Sequence, residues 1–288
     1  MKDRNDNKLV AITGATGGIG RVIAKSFLEN NYKVLLVGRS GNKLELLKKE
    51  LSKISNECFS LKIDISKKEQ VENILKKEME KIGKIDVLIN AAAIQGPIGK
   101  IETNDIEHWE KTIKTNLLGT WLCSRTVIPQ MLKQKKGVII NFSGGGALGI
   151  RENFSAYAVA KAGVVRLTEI MAEEVRDKNI RINAIAPGAI NTDMFDEMLD
   201  AGEIKVGKNE WRKLMEQKKK GGQDPLMAAN LCLWLASGKS KPLTGKTISA
   251  IYDDWQKWDR IKINSLAKSD WLSLRRLDEY TINNLIKK

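Results

Sequence analysis

Apolar runs rich in β-branched residues alternate with stretches of helical periodicity along most of the chain. This alternation is typical of βαβ units, which build a parallel sheet. A segment long enough for a helix lies between consecutive runs, so we predict an α/β, doubly wound fold in which helices cover both faces of a seven-stranded parallel sheet. The seven runs predicted as strands are residues 9–13, 34–37, 58–63, 87–90, 138–142, 180–186 and 247–251.

No linker rich in proline, glycine and serine divides this pattern, so residues 1–255 are predicted to form a single domain. Within it, residues 192–224 are amphipathic and rich in lysine, which suits a lid over a cleft. Residues 256–288 are predicted to form a C-terminal helical extension, because large apolar residues recur there at spacings of three and four. We expect its apolar face to pack on the same domain or on a sister subunit. That face consists of Trp255, Trp258, Trp271, Leu274, Leu277, Tyr280 and Leu285.

Composition excludes several classes of protein. Hydrophobic residues make up 42% and charged residues 29% of the chain, and no apolar run is long enough to span a bilayer, so a soluble globular protein is expected. The charged start, MKDRNDNK, lacks the hydrophobic region of a secretory signal, which favours a cytoplasmic location. His108 is the only histidine and the three cysteines are far apart, so a Ser/His/Asp hydrolase, a disulfide framework and a bound metal are not expected.

The chain is strongly basic, with 49 lysine and arginine residues, 35 acidic residues and a formal net charge of +14. Such an excess can attract nucleic acid, an acidic membrane surface or an anionic small molecule. The basic residues are scattered among acidic ones, and neither an RNP-type aromatic pattern nor zinc-finger spacing accompanies them. We therefore interpret the charge as a lysine-rich surface and expect neither nucleic acid nor a membrane as a partner.

A glycine-rich turn, TGATGGIG at residues 13–20, directly follows the first predicted strand and precedes a helical pattern. Glycines let the chain turn sharply and let a pyrophosphate approach, and the amides and dipole of a helix N-terminus attract negative charge. The position of the turn between strand and helix therefore predicts a dinucleotide site in a Rossmann fold. The cofactor contacts expected in the turn are Gly14, Thr16, Gly17, Gly18, Ile19 and Gly20.

The residues at the end of the second predicted strand indicate which cofactor, NADP(H) or NAD(H), is preferred. An NAD site places an acidic residue there to receive the ribose hydroxyls, but this chain has Gly38 and Arg39. The guanidinium of Arg39 can bind the extra phosphate of NADP(H), and Gly38 removes the carboxylate that would repel it. We therefore expect NADP(H) to be preferred, with Arg39 and Ser40 as contacts. The alternative is an arginine that only caps the strand.

The third and fourth predicted strands also end in candidate cofactor contacts. Asp64, followed by Ile65, can accept a hydrogen bond from the adenine amino group, although a helix N-cap role fits Asp64 equally well. Asn90, Ala91 and Ala92 are small residues at the end of the fourth strand, where they leave room for a cofactor against the backbone.

Tyr157 and Lys161 are four residues apart in SAYAVAKAG, a segment of helix formers, so both project from one helical face. A phenol with a pKa of about 10 exchanges protons poorly near neutrality, and a neighbouring ammonium lowers that pKa. We expect Tyr157 to exchange a proton with a carbonyl or alcohol oxygen as hydride moves to or from a nicotinamide. A tyrosine and a lysine on a helix are usually only surface residues, but the glycine turn makes the catalytic interpretation the better one.

These motifs together resemble the short-chain dehydrogenase/reductase family, in its compact branch, over about residues 8–251. The resemblance implies an oxidoreductase that transfers hydride between NADP(H) and a small carbonyl/alcohol substrate, and a homodimer or homotetramer. Besides the glycine turn, the matching segments are NAAA at 90–93, KTNLLGT at 114–120, YAVAK at 157–161 and PGAINT at 187–192. In the last segment, the residues that the resemblance assigns to the cofactor are Pro187, Gly188, Ile190 and Thr192.

The resemblance implies a catalytic tetrad of Asn116, Ser143, Tyr157 and Lys161. Tyr157 is then the acid/base and a cofactor contact, Lys161 its electrostatic partner and a ribose anchor, and Asn116 the support of a proton-relaying water. The family usually places its serine where this chain has Gly144, and Ser143 lies one residue earlier. The glycines after Ser143 let the backbone shift, so the serine role is assigned to Ser143. Without that hydroxyl, Tyr157 or loop amides would stabilise an oxyanion.

Two segments are candidates for contact with the substrate. Asp253, Asp254 and Trp255 follow the last strand on the cleft side, although a solvated turn explains them as well. Arg151 and Glu152 precede Tyr157, where a substrate loop would pass. With the lysines of the predicted lid, they suggest an anionic or sugar-like substrate.

Two other functions are compatible with the same motifs. A dinucleotide-binding sensor or scaffold with weakened catalysis would explain Gly144. A nucleotide-sugar-modifying enzyme of the extended branch would explain the GxxGxxG spacing of Gly14, Gly17 and Gly20. The second alternative is disfavoured, because PGxxxT follows Lys161 within one predicted helix and one strand.

Overall fold

The structure is a computed structural model that describes residues 8–275. Its strands are β1 (Leu9–Thr13), β2 (Lys33–Gly38), β3 (Cys58–Lys62), β4 (Ile85–Asn90), β5 (Gly137–Phe142), β6 (Ile180–Ala186) and β7 (Thr247–Ser249). They are all parallel and form one sheet in the order β3-β2-β1-β4-β5-β6-β7, which confirms the doubly wound α/β fold. The predicted strand bounds agree with the observed ones to within two residues.

Helices cover both faces of the sheet, as predicted. They are α1 (Gly18–Glu29), α2 (Gly41–Leu51), α3 (Lys76–Ile82), α4 (Ile106–Ile113), α5 (Gly119–Gln134), α6 (Ser155–Glu174), α7 (Asp193–Val206), α8 (Lys208–Lys220), α9 (Pro225–Ala236) and α10 (Arg260–Lys268). Val10 and Ile12 of β1 pack in a core with α1, α2 and α9, whereas Leu9 and Ala11 pack in a second core with α5 and α6. Because both faces of β1 are buried, its sequence is an uninterrupted apolar run.

The strand order creates a crevice between β1 and β4. The chain runs outward from β1 to β2 and β3, and then returns to place β4 on the other side of β1. Thr13 and Asn90, which end these two strands, are paired neighbours. The glycine-rich turn and the NAAA segment therefore emerge side by side at the carboxyl edge, where ligands bind in open α/β sheets.

The segment predicted as a lid contains α7 and α8. Phe195 and Val206 of α7 and Leu214 of α8 form a small apolar cluster with Phe154, which lies just before α6. This cluster joins the two helices to the loop between β5 and α6. The role of residues 192–224 as a lid remains a prediction.

The described part of the C-terminal extension packs on its own domain. Trp255 is buried, and Ile263 and Leu266 of α10 belong to the same core as α1 and α9. The amide of Thr247 in β7 donates to the carbonyl of Leu272 at 2.7 Å, so the extension also contacts the last strand. Within residues 8–275, no helix combines the length and the apolar character needed to cross a membrane. Three residues of the predicted apolar face lie outside the described residues: Leu277, Tyr280 and Leu285.

Candidate active site

A cavity of about 540 Å³ lies at the carboxyl ends of β1, β2 and β4, at the point where the strand order reverses. The beginning of α7 closes it on the opposite side through Asp193, Met194 and Glu197. Most of the residues predicted to contact a dinucleotide lie in its wall. They are Gly14, Thr16, Gly17, Gly18, Ile19, Gly20, Arg39, Ser40, Ile65, Ala91, Ala92 and Thr192.

The glycine-rich turn fits a pyrophosphate for two reasons. Gly14 has a φ of +68°, and a Cβ there would lie 2.6 Å from the Cα of Ala92, so only glycine lets β1 turn this closely against the NAAA segment. Helix α1 begins at Gly18 with no acidic residue in its first turn, and the first amides of a helix have no partner within it. These amides and the helix dipole form a cradle for an anion beside the cavity.

The wall at the end of β2 is basic. Arg39 and Lys43 both line the cavity, and neither has a carboxylate partner among residues 8–275. A Cβ at Gly38 would meet only the side chain of Leu44, at ordinary contact distances of 3.5 Å and more. Lys43 was not predicted as a cavity residue, although it could have been inferred from Ser40, which precedes it by three residues. The Ser40 hydroxyl accepts from the amide of Lys43 and so caps the first turn of α2 beside the cavity.

Asp64 and Asn90, two predicted cofactor contacts, do not line the cavity. Asp64 Oδ1 accepts hydrogen bonds from the amide and the hydroxyl of Ser66 at 2.9 and 2.7 Å, which stabilises the turn after β3. Asn90 is buried inside the sheet, where Nδ2 donates to Ser124 Oγ and Asn141 Oδ1. In this structure both side chains are therefore engaged in holding the fold together.

The segment after β6 reaches the cavity only at Thr192. Its Cγ2 lies 3.0 Å from the position that a Cβ on Gly18 would take, so Thr192 closes the cavity against the first turn of α1. The preceding part of the segment packs toward Ile251, just beyond β7. Three predicted cofactor contacts therefore lie outside the wall: Pro187, Gly188 and Ile190.

Tyr157 and Lys161 lie on the buried side of α6, on one face of the helix. Nζ of Lys161 is 5.7 Å from the centroid of the Tyr157 ring and donates to the carbonyl oxygen of Phe142 at 2.7 Å. This hydrogen bond fixes the ammonium at the end of β5. Neither side chain is part of the cavity wall, which ends nearby at Ile94 and Thr115.

Asn116 holds the loop after β4 in place. Its Oδ1 accepts from the amide of Ile94 and its Nδ2 donates to the Ile94 carbonyl, both at 2.9 Å. Asn116 lies in a π-helical turn, residues 114–118, that joins α4 to α5. Such turns change the face on which following side chains lie and are frequent at functional sites. The sequence pattern predicts Asn116 but not this turn.

Burial dominates the protonation of the Tyr157–Lys161 pair. It raises the pKa of the Tyr157 phenol above its ordinary value, and the guanidinium of Arg151 lowers that pKa in part. Burial also lowers the pKa of Lys161 to about 8. The expectation that the pKa of Tyr157 is lowered is not met here, because burial raises that pKa by more than the charge of Arg151 lowers it.

We expect Lys161→Met to stabilise the protein at neutral pH and to remove part of its pH dependence. A pKa of about 8 in the folded chain, against 10.5 in the unfolded chain, corresponds to roughly 3 kcal/mol of unfavourable burial, which loss of the Phe142 hydrogen bond offsets in part. Between these two pKa values the unfolded chain binds more protons, so the parent gains stability as pH rises and the difference between the two proteins shrinks.

Urea unfolding of the parent and Lys161→Met at several pH values from 7 to 10 measures this difference. Lys133→Met, at an exposed position on α5, is the matched control and should show no such trend. A difference between parent and Lys161→Met that stays constant with pH would contradict the lowered pKa.

The loop after β5 places glycine, not serine, against the phenol. A Cβ on Gly144 would lie 2.6 Å from Tyr157 Oη, so this residue occupies the place where the family resemblance puts its serine. Ser143 is buried, and its amide donates to the Ile185 carbonyl at 2.9 Å. Its hydroxyl has no hydrogen-bond partner within residues 8–275. A catalytic role for Ser143 remains a prediction.

The two candidate substrate segments differ in their surroundings. Asp253 Oδ2 accepts from the amide of Ser249 at 2.7 Å, and Trp255 packs in the core, so the residues after β7 form a structural turn. Arg151, in contrast, stacks on the ring of Phe154 and pairs with Glu210 at 3.0 Å. Glu152 is exposed.

Several residues of the cavity wall were not predicted. Ile94 directly follows the NAAA segment and Thr115 directly precedes Asn116. Both could therefore have been predicted from their position next to these motifs. Asp193, Met194 and Glu197 reach the wall only because α7 folds back over the crevice. Burial raises the pKa of Glu197, and the charge of Asp193 raises it further.

Comparisons with known proteins agree with this geometry. The sequence profile of the family described as short chain dehydrogenase matches residues 8–202. A 3-oxoacyl-[acyl-carrier-protein] reductase, FabG, of Staphylococcus epidermidis is 35% identical over 246 residues, which cover 84% of this chain and 96% of the relative.

Solved structures extend the similarity to the whole fold. NAD⁺-bound xylitol dehydrogenase superposes with a TM-score of 0.79 at 25% identity, covering 86% of this chain and 98% of that one. An actinorhodin polyketide ketoreductase with NADPH superposes with a TM-score of 0.76 at 25% identity, covering 86% and 96%. The chain therefore belongs to the short-chain dehydrogenase/reductase family and is an NAD(P)-dependent oxidoreductase.

Proposed function

We propose that the chain is an NADP(H)-dependent oxidoreductase that interconverts a carbonyl and an alcohol on a small-molecule substrate. The observation that carries this proposal is the buried phenol of Tyr157 with the ammonium of Lys161 on the same face of α6, together with a cavity lined by the glycine-rich turn. The preference for NADP(H) is supported by Arg39 and Lys43, which line the cavity, and by the absence of a carboxylate at Gly38.

Different residues of this chain have separate roles in such a reaction. A bound nicotinamide supplies or accepts the hydride. In the direction of reduction, Tyr157 gives its phenolic proton to the carbonyl oxygen, and its raised pKa keeps that proton in place near neutral pH. Lys161, with a pKa of about 8, holds a proton that can be passed on toward the phenol. Asn116 fixes the loop at Ile94 through two hydrogen bonds.

The names of the similar proteins support a carbonyl/alcohol substrate. Those proteins are a 3-oxoacyl reductase, a polyketide ketoreductase and a xylitol dehydrogenase. An anionic or sugar-like substrate stays part of the proposal. The acidic residues of α7 line the cavity, and the lysines at the end of α8 are exposed.

Turnover of NADPH and NADH with a panel of substrates tests the proposal. The panel contains a 3-oxoacyl thioester, simple ketones, a cyclic diketone and, in the direction of oxidation, polyols. We expect faster turnover with the NADP(H) couple on at least one member. Binding of NADPH without turnover on any member would contradict the proposal and favour the alternative below.

A dinucleotide-binding sensor with weakened catalysis is the second candidate. Gly144 favours it, because the position in contact with Tyr157 Oη carries no hydroxyl. The buried, hydrogen-bonded arrangement of Asn116 and Lys161 favours the enzyme, since a sensor has no need of either group.

Assembly into a homodimer or homotetramer is also part of the proposal. Trp121 on α5 and Val159 and Ile170 on α6 are large apolar side chains that are about half exposed in the single chain. Contact with a second copy would remove them from water.

A further inference from the structure

The loop between β5 and α6 contacts the phenol of Tyr157 at Gly144 and the guanidinium of Arg151 at the next residue. Its glycines make this approach possible. The backbone at Gly144 is so close to Tyr157 Oη that a side chain would collide with it. At the next residue, a Cβ on Gly145 would lie 3.4 Å from Nη1 of Arg151, so the guanidinium lies directly over the loop.

Arg151 is held rigidly in this place. Its guanidinium stacks on the ring of Phe154 with the carbon 3.9 Å from the ring centroid. Nε donates to Glu210 Oε2 at 3.0 Å and Nη2 lies 3.0 Å from Met198 Sδ. Only 13% of the side chain is exposed, which strengthens the effect of its charge. The nitrogen that faces Gly145, Nη1, has no acceptor within residues 8–275.

We propose that Arg151 is a positioning residue for the reaction. Its charge acts across Gly144 and Gly145 and favours the phenolate of Tyr157, at a site where the serine hydroxyl is missing. Glu210 on α8 limits that effect. This inference rests on the proposed function for its meaning in catalysis. It assigns Arg151 a role through Tyr157 and not a contact with the substrate.

The effect of Arg151 on the ionisation of Tyr157 combines with the effects of other charged side chains. Lys161 of α6 is the second cation, and it donates to the Phe142 carbonyl. From α8, Glu210 pairs with both Arg151 and Lys213, the latter at 2.7 Å. The charge of Arg151 lowers the pKa of Tyr157 against the opposing effect of burial.

Two substitutions separate an electrostatic role from a structural one. Arg151→Met and Glu210→Gln break the same ion pair between the loop and α8, so any effect due to loosening of α8 has the same sign in both variants. An electrostatic effect has opposite signs. Removing the cation raises the midpoint of Tyr157 ionisation by about one pH unit, and removing the carboxylate lowers it.

The midpoint is read from the ultraviolet absorbance of the phenolate in the full chain, as the difference between each variant and the same variant with Tyr157→Phe added. Shifts in opposite directions, with partial recovery of the midpoint in Arg151→Lys, support the proposal. Shifts in the same direction, or an unchanged midpoint in Arg151→Met, overturn it. If Arg151→Met does not fold by circular dichroism, Glu210→Gln decides: a lowered midpoint supports the proposal, and an unchanged or raised one overturns it.

Arg125→Met is the matched control. Arg125 also lies over an aromatic ring, 5.6 Å from the centroid of Trp121, and pairs with Glu72, but it lies on α5 at the surface. Arg125→Met should leave the midpoint of Tyr157 ionisation unchanged, and a shift as large as that of Arg151→Met would overturn the proposal. The titration uses neither cofactor nor substrate. A failure of NADPH turnover would therefore count against the proposed function alone.

Discussion

Tyr157→Phe is expected to lower kcat for carbonyl reduction by about 10³-fold, within the range that a positioned general acid contributes. The substitution removes one oxygen and keeps the ring. Tyr157 Oη makes no hydrogen bond within residues 8–275, so little stability is lost and the fold around α6 should be retained. We expect the affinity for the dinucleotide to change little, because the cavity wall does not include Tyr157.

Steady-state kinetics and dinucleotide fluorescence titration of Tyr157→Phe measure these two quantities separately. Tyr252→Phe is the matched control: Tyr252 is 87% exposed just after β7, and the same loss of a phenol oxygen there should leave kcat unaffected. Retention of parental kcat in Tyr157→Phe would remove the basis for assigning proton transfer to this residue.

The double substitution Gly38→Asp, Arg39→Leu is expected to raise KM for NADPH by about 10² and to improve the use of NADH. A charged hydrogen bond contributes roughly 1.5–3 kcal/mol, and the new carboxylate adds repulsion of the extra phosphate while offering an acceptor to ribose hydroxyls. The structure tolerates the aspartate, because a Cβ at Gly38 meets only Leu44 at 3.5 Å and more.

The ratio of kcat/KM for NADPH and NADH, measured with one substrate, checks this switch. Arg176→Leu serves as the charge control, because Arg176 pairs with Glu173 at the end of α6 and does not line the cavity. Lys43 stays in the doubly substituted protein, so some affinity for NADPH should persist. An unchanged ratio would show that Arg39 only ends the strand.

The strands and the glycine-rich turn could be predicted from the sequence. The alternation of apolar runs and helical segments predicted all seven strands, because buried strands are apolar runs and helices have their own periodicity. The turn at residues 13–20 was predicted because a strand, closely spaced glycines and a helix occur there in immediate succession. The spacing of Tyr157 and Lys161 placed both on one face, because that relation lies within a single turn of helix.

Only the tertiary structure decided which residues from distant segments contact each other. Asp64 and Asn90 have the chemistry of cofactor contacts, but their side chains bond Ser66 and the sheet interior, and sequence does not specify the direction in which a side chain points. Lys161 donates to the carbonyl of Phe142, a residue 19 positions away, and its burial lowers its pKa to about 8.

The sequence by itself determined the α/β fold, the glycine-rich turn and the pairing of a phenol with an amine, because each depends on residues within one element or at one junction. Only the tertiary structure decided that glycine faces the phenol, that a π turn carries Asn116, and that Arg151 pairs with Glu210 of α8. These features depend on how loops and helices pack across space, and packing is set by the burial of the whole chain and not by any local pattern.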